Sequence, residues 1–244
     1  MKFLKHPFLF LLSSTLVISC ASYKSKLQTA AITFPELGSV VKKKGKLWYA
    51  SSEQVGVLNF ENPLLATAQV VPFDKSTFKK YAHAIESANR TTSIVYTDSM
   101  PNKPKYVRLQ LLDKIGLTTL LNSADNTALR SYLENDPDYK LVTAITLTVA
   151  DELQKRILEA EHILVQQDGA GKLSIVLKNK QQTNELEGSH TEVFDYSYVS
   201  FCWGEDRYHT KIIKALVQDN KGCPNATYTK AAKVKSHSPS YLKL

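Results

Sequence analysis

KLVTAITLTV, residues 140–149, decides the class of fold. Leu141, Ile145, Leu147 and Val149 fall on one parity and smaller or polar residues mostly on the other, and six of the ten are β-branched (Val142, Thr143, Ile145, Thr146, Thr148, Val149). A strand turns successive side chains to opposite faces, and β-branched side chains pack well there. The stretch predicts a strand. The sequence on either side of it changes to helical spacing. Residues 124–134 bring Leu129, Tyr132 and Leu133 to one face, with Ser123 as a cap, and Asn135-Asp136-Pro137-Asp138 ends that helix. Residues 151–160 repeat Leu153, Ile157 and Ala160 and begin with two acids, which suits the positive end of a helix dipole.

Farther out the same mixture continues. Residues 47–49, 55–60 and 64–73 read as strands, the last ended by Pro72. From Asp74, a capping residue, Phe78, Tyr81, Ala82, Ile85 and Ala88 form a helical stripe that Asn89 stops. Residues 93–97 and 106–112 read as strands across a turn-rich segment, while 114–122 fits either class. Residues 162–166 and 172–178 flank Asp168-Gly169-Ala170-Gly171 as a hairpin. That Gly-x-Gly lies between two strands rather than a strand and a helix, which argues against nucleotide binding. Residues 179–189 read as a loop, 193–203 as an aromatic strand, and 208–217 as a helix carrying Ile212, Ile213 and Leu216. From 219 the chain reads as loop, and 230–244 as a basic, disordered tail. The fold expected is α+β, a mainly antiparallel sheet of six or more strands with three or four helices, in a single domain over 29–229.

The N-terminus carries its own message. Lys2 and Lys5 precede a nearly continuous apolar run from Pro7 to Ile18, the length of a signal-peptide core and short of the about twenty residues that span a bilayer. It ends in Val17-Ile18-Ser19-Cys20, which resembles the lipobox of bacterial lipoproteins: an aliphatic residue three before the cysteine and a small one just before it. The resemblance covers about twenty residues. It implies that residues 1–19 are a signal peptide, that the Cys20 thiol takes a diacylglycerol, and that residues 20–28 are a short lipidated tether. Val17 stands where leucine is commoner, and Ile18 is bulky for its place. Ala21 after the cysteine, rather than aspartate, implies sorting to the outer membrane. Membrane attachment through acyl chains on Cys20 is the first partner expected, and an envelope protein or glycan the second.

Charge sharpens the function classes. The chain of 244 residues carries +8, but residues 50–229 hold 19 basic and 22 acidic side chains, so its body is slightly acidic and its ends basic. A nucleic-acid binder concentrates positive charge on a folded face, so no nucleic acid is expected. The lysines from Lys42 to Lys46 are a candidate patch for anionic headgroups or a solvated turn around Gly45.

With Cys20 acylated, Cys202 and Cys223 remain. In an exported protein such a pair reads most simply as a disulfide, closing a loop of 21 residues. Two free thiols, or a metal site with His209, are the alternatives, although zinc prefers closely paired ligands. Glu205, Asp206 and His209 gather two carboxylates and an imidazole after the aromatic strand. They read either as a general acid/base group of an envelope hydrolase or as the cap of a following helix. Tyr196 and Tyr198 share one strand face, Phe201 and Trp203 the other, so one pair is core and the other a candidate platform for sugars or peptides. No nucleophile elbow, His-Glu-x-x-His or Walker loop is present. The expectation is therefore a lipid-anchored structural, assembly or binding protein with no cofactor.

Overall fold

The computed structural model describes residues 34–43, 52–180, 182–186, 191–219 and 221–234. The stretch 140–149 lies in β5, Tyr139–Val149, an internal strand with neighbours on both edges. All of β5 except Val149 is buried, so its polar parity is covered as well as its apolar one. Among the described residues ten strands form one sheet, antiparallel at every pairing. In chain order they are β1 Ser39–Lys43, β2 Ser52–Val57, β3 Leu64–Pro72, β4 Lys105–Leu111, β5, β6 His162–Gln167, β7 Leu173–Lys178, β8 Thr183–Glu185, β9 Thr191–Glu205 and β10 Lys211–Gln218. The helices are α1 Lys75–Ser87, α2 Lys114–Leu121, α3 Thr127–Leu133 and α4 Asp151–Glu159. The order across the sheet is β10-β9-β5-β4-β3-β6-β7-β8, with β1 also on β5 and β2 on β1. The expected α+β class with a mainly antiparallel sheet is what forms.

The sheet forks at β5. One edge pairs with β9 along residues 140–149. The other is divided, β1 taking residues 139–141 and β4 residues 144–147. At the fork the Gly38 amide donates to the Val142 carbonyl at 3.0 Å. Gly38 sits at φ 93°, a conformation that costs a side-chain-bearing residue but not glycine.

α1 begins and ends on the expected residues. The Asp74 carboxylate accepts the Thr77 amide at 2.6 Å, and Asn89 leaves the helix at φ 55°. Its Tyr81, Ala84 and Ile85 pack with Phe73 and Phe194 in a small aromatic core, where Phe73 meets Tyr106 at 5.0 Å between ring centroids. The ambiguous stretch 114–122 is α2, capped by Asp113, which accepts the Gly116 amide. Two asparagines lie between the two helices that follow β4. Asn122 donates to the Ile213 carbonyl at 2.7 Å and accepts the Ile213 amide at 3.0 Å, taking the place of a neighbouring strand at the outer edge of β10. Asn126, 1% exposed, does the same for Asn59 at 2.7 and 2.8 Å.

Four expectations are corrected. The helix at 208–217 is instead β10, hairpin-paired to β9. Residues 93–97 pair with no strand; Ile94 and Tyr96 pack on the aromatic core beside α1, with Tyr96 stacked on Phe78 at 4.9 Å. The loop at 179–189 contains β8. The segment read as a tail begins inside the fold, because a 3-10 turn at Ala231–Lys233 buries Ala231 and Val234 in the main core. The strand expected at 47–49, the signal at 1–19, the tether at 20–28 and the tail beyond 234 lie outside the described residues.

The asparagine pairings set a stability test. Replacing the buried Asn126 by alanine removes its hydrogen bonds to the Asn59 amide and carbonyl and to the Leu120 carbonyl, which costs about 2–3 kcal/mol. The same change at half-buried Asn122 costs about 1 kcal/mol. Urea unfolding midpoints of the two variants measure both, and the larger loss is expected at Asn126.

Candidate functional site

The β9–β10 hairpin holds the carboxylates and imidazole singled out in the sequence. Asp206 does not cap a helix. Its carboxylate accepts the amides of Tyr208 and Thr210 at 2.8 and 2.9 Å, and its own amide donates to the Thr210 carbonyl at 3.0 Å, so it folds the turn. His209 closes that turn at φ 61°, and its Nδ1 lies 2.9 Å from Glu205 Oε2. The structure thus brings Glu205 and His209 together as a dyad but commits Asp206 to backbone. The pair sits on an exposed hairpin end, where the Arg207 guanidinium stacks on the 70%-exposed Tyr208 ring at 4.7 Å.

Cys202 and Cys223 are joined as a disulfide, their Cα atoms 5.6 Å apart. Beyond residue 200, β9 outruns β5, and the edge left open at Trp203 is filled by Tyr228. The Trp203 amide donates to the Tyr228 carbonyl at 2.7 Å and the reverse bond is 2.9 Å. A Cβ on Gly204 would meet Lys214 Cγ of β10 at 2.8 Å, whereas the Ala226 carbonyl oxygen of the closing segment would lie at ordinary contact distance, 3.6 Å. The disulfide therefore fixes the C-terminal segment against the extension of β9, and not a helix.

A second polar group, which the sequence did not single out, gathers around Asp219. Lys140, only 7% exposed, donates to the Pro137 carbonyl at 3.1 Å and to Ser200 Oγ at 2.8 Å, with Asp219 Oδ1 3.5 Å away. Lys43 reaches the other Asp219 oxygen at 2.9 Å, Tyr198 donates to it at 3.1 Å, and Ser200 Oγ lies 3.4 Å from Oδ1. A serine–lysine pair suggests nucleophile activation, which requires serine to give its proton to a neutral amine. Here the donation runs from lysine to serine, and both groups lie beside the Asp219 carboxylate. The group is a clip joining β1, β5, β9 and the end of β10. Burial pushes the Asp219 carboxyl up, but the Lys43 hydrogen bond and the Lys140 charge outweigh it and hold it below its ordinary value. Hydrogen bonds to Tyr198 and Asp219 raise Lys43 in turn. Burial also raises the Tyr198 phenol.

The remaining expectations resolve in the same way. Phe201 and Trp203 are core, 4% and 2% exposed, and Tyr196 and Tyr198 are the half-buried pair, their ring centroids 6.1 Å apart. Tyr198 is bound into the clip and Tyr196 meets the Phe34 ring at 6.5 Å, which reduces what a sugar could stack on. Lys42 and Lys43 are not a free basic patch. Each is ion-paired, to Asp136 at 2.8 Å and Asp219 at 2.9 Å, and each lies over a tyrosine ring. A hollow of about 540 Å³ lies between residues 57–61 and the Gly-x-Gly turn. The turn amides of Ala170 and Lys172 already donate to Asp168. Among the described residues no group of three or more His, Cys, Asp or Glu is placed to hold a metal. Cys20 lies outside them.

Two measurements check this geometry. The folded Asp219 carboxyl is depressed, so its contribution to stability is complete above the ordinary carboxyl value and is lost as pH falls past about 4. Asp219→Asn lowers stability at pH 7 by about 1–2 kcal/mol, less than for a fully buried pair because Asp219 keeps solvent contact. Urea midpoints at pH 7 and pH 3 are expected to differ less in that variant than in the parent. Reduction of the intact chain adds the mass of two hydrogens, and Cys202→Ala with Cys223→Ala costs about 3 kcal/mol.

Comparison with known proteins gives no match: no family model, no curated sequence and no solved structure corresponds to this chain.

Proposed function

We propose that the chain is a lipid-anchored cell-envelope protein. Residues 1–19 export it, Cys20 carries the acyl chains that hold it at the outer membrane, and the α+β body binds an envelope partner, a protein or a glycan. The observation that carries this reading is the Lys2/Lys5–apolar run–Val17-Ile18-Ser19-Cys20 sequence, in which charge, apolar length and cysteine all agree. Each methylene buried in the bilayer contributes about 0.8 kcal/mol, so two or three acyl chains hold the body without any other anchor. Among the described residues no helix is long and apolar enough to cross a membrane. The body itself supports a rigid scaffold. Its buried and half-buried ionic groups tie strands together, and a disulfide closes its C-terminal segment.

The 2.9 Å contact between Glu205 and His209 favours one second reading, an envelope hydrolase with His209 as base and Glu205 orienting it. Glu205→Gln with His209→Asn separates the two. Full rescue of a null-mutant phenotype ends the hydrolase reading, and lost rescue at normal protein level supports it.

Growth on radiolabelled palmitate tests the anchor. The parent chain is expected to take up label and fractionate with the outer membrane, whereas Cys20→Ala takes up none and leaves that fraction. A parent chain without label overturns the anchor. Protease treatment of intact cells then tells which side of the membrane the body faces.

A further inference from the structure

Pairing of β3, β4, β5 and β9 sets side chains in rows across one face of the sheet. Gln69, Arg108, Thr146 and Asp195 are successive cross-strand partners, and Thr67, Gln110, Ala144 and Ser197 form the next row. One step on, the Leu112 amide donates to the Leu65 carbonyl at 3.1 Å, so Leu65 and Leu112 oppose each other on that same face.

Arg108 is half-buried in the middle of this face. Among the described residues its guanidinium makes one hydrogen bond, from Nη2 to Ser197 Oγ at 3.2 Å, and forms no ion pair. The nearest carboxylate in its own row is committed elsewhere: Asp195 takes Lys80 at 2.6 Å and the Tyr196 amide at 3.0 Å. A partly desolvated guanidinium with one neutral partner is an incomplete arrangement, and its planar fork matches an oxyanion. Thr67 and Gln110 continue the row pattern as neutral hydrogen-bonding groups. Beyond them Leu65 and Leu112 are 43% and 51% exposed. From Arg108 to Leu112 the strand advances about 13 Å. One strip thus runs from an uncompensated cation to exposed apolar side chains.

We infer that this strip binds an anionic amphiphile, with its phosphate or carboxylate head on Arg108 and its apolar chain along Leu65 and Leu112. Charge complementarity selects the occupant: a neutral partner would leave Arg108 as it is, and a free ion would leave the leucines exposed. The inference rests on the body being a binding module. It is independent of the anchor, since failed acylation of Cys20 leaves it standing and failed amphiphile binding leaves the anchor standing.

Calorimetric titration of the full chain carrying Cys20→Ala tests it, with decyl phosphate, decanoate, inorganic phosphate and uncharged decyl maltoside below their micellar concentrations. Decyl phosphate or decanoate is expected to bind saturably, and tighter than inorganic phosphate or decyl maltoside; which head binds better identifies the source. Arg108→Gln is expected to weaken binding at least tenfold. Leu112→Ser is expected to weaken the amphiphile and leave inorganic phosphate unchanged. Gln69→Glu places a carboxylate directly across from Arg108. It is expected to abolish binding while the melting temperature holds or rises, so that the loss is not one of folding. Absence of saturable binding by either anionic amphiphile, equal binding of decyl maltoside, or indifference to both Arg108→Gln and Gln69→Glu overturns the inference.

Discussion

A strand buried on both faces must have its backbone groups matched along both edges, because water cannot reach them. β5 is such a strand, and its two edges are satisfied differently. β9 runs the length of one, while the other is shared between β1 and β4, with the Gly38 amide placed at the division. Much of the remaining architecture answers this arrangement. β9 extends to Glu205, past the end of β5, so its own edge opens at Trp203. Tyr228 closes that edge, and Cys223 holds the closing segment in place. The side-chain amides of Asn122 and Asn126 serve Ile213 and Asn59 as further backbone partners where no strand is available.

Strands whose alternation is unbroken were legible: β4 shows Val107, Leu109 and Leu111 buried at every second position, as its sequence predicts. β10 was misread for a physical reason. A bulge between Ile213 and Ala215 adds a residue, so the core partners of Trp203 and Phe201, two apart on β9, are Ile213 and Leu216, three apart on β10. A bulged strand thereby acquires helical spacing. The error at 93–97 is the converse. Ile94 and Tyr96 alternate because they pack against the aromatic core, and alternation alone does not supply a strand to pair with.

The candidate site was legible only where partners are close in sequence. Cys202 and Cys223 are 21 residues apart in a chain with one other cysteine, which leaves one pairing when Cys20 is set aside as the proposed lipid site. Glu205 and His209, four apart, also meet, but through a hairpin turn rather than a helix. The Asp219 clip joins residues 176 positions apart, and neither Lys43 nor Ser200 carries a local signal that the fold will bring them to one carboxylate. Arg108 reads in sequence as an ordinary polar position between Val107 and Leu109. Its isolation from carboxylates emerges only when the four-strand row is assembled.

Across the sheet the acids are spent on particular cations. Asp219 serves Lys43 and Lys140, and Asp195 serves Lys80 and a backbone amide. Glu192 receives Arg90, Tyr81 and Thr148 and so ties α1 to β9. Residues 50–229 are slightly acidic, so a cation left without a carboxylate near the sheet centre does not follow from a shortage of acids. Gln69 and Thr146 flank Arg108 on the neighbouring strands, and a carboxylate at either position would have completed an ion pair within the fold. Neutral residues there leave the guanidinium's charge to be met from outside. The exposed leucines farther along the same face select an anion with an apolar extension over a small inorganic one.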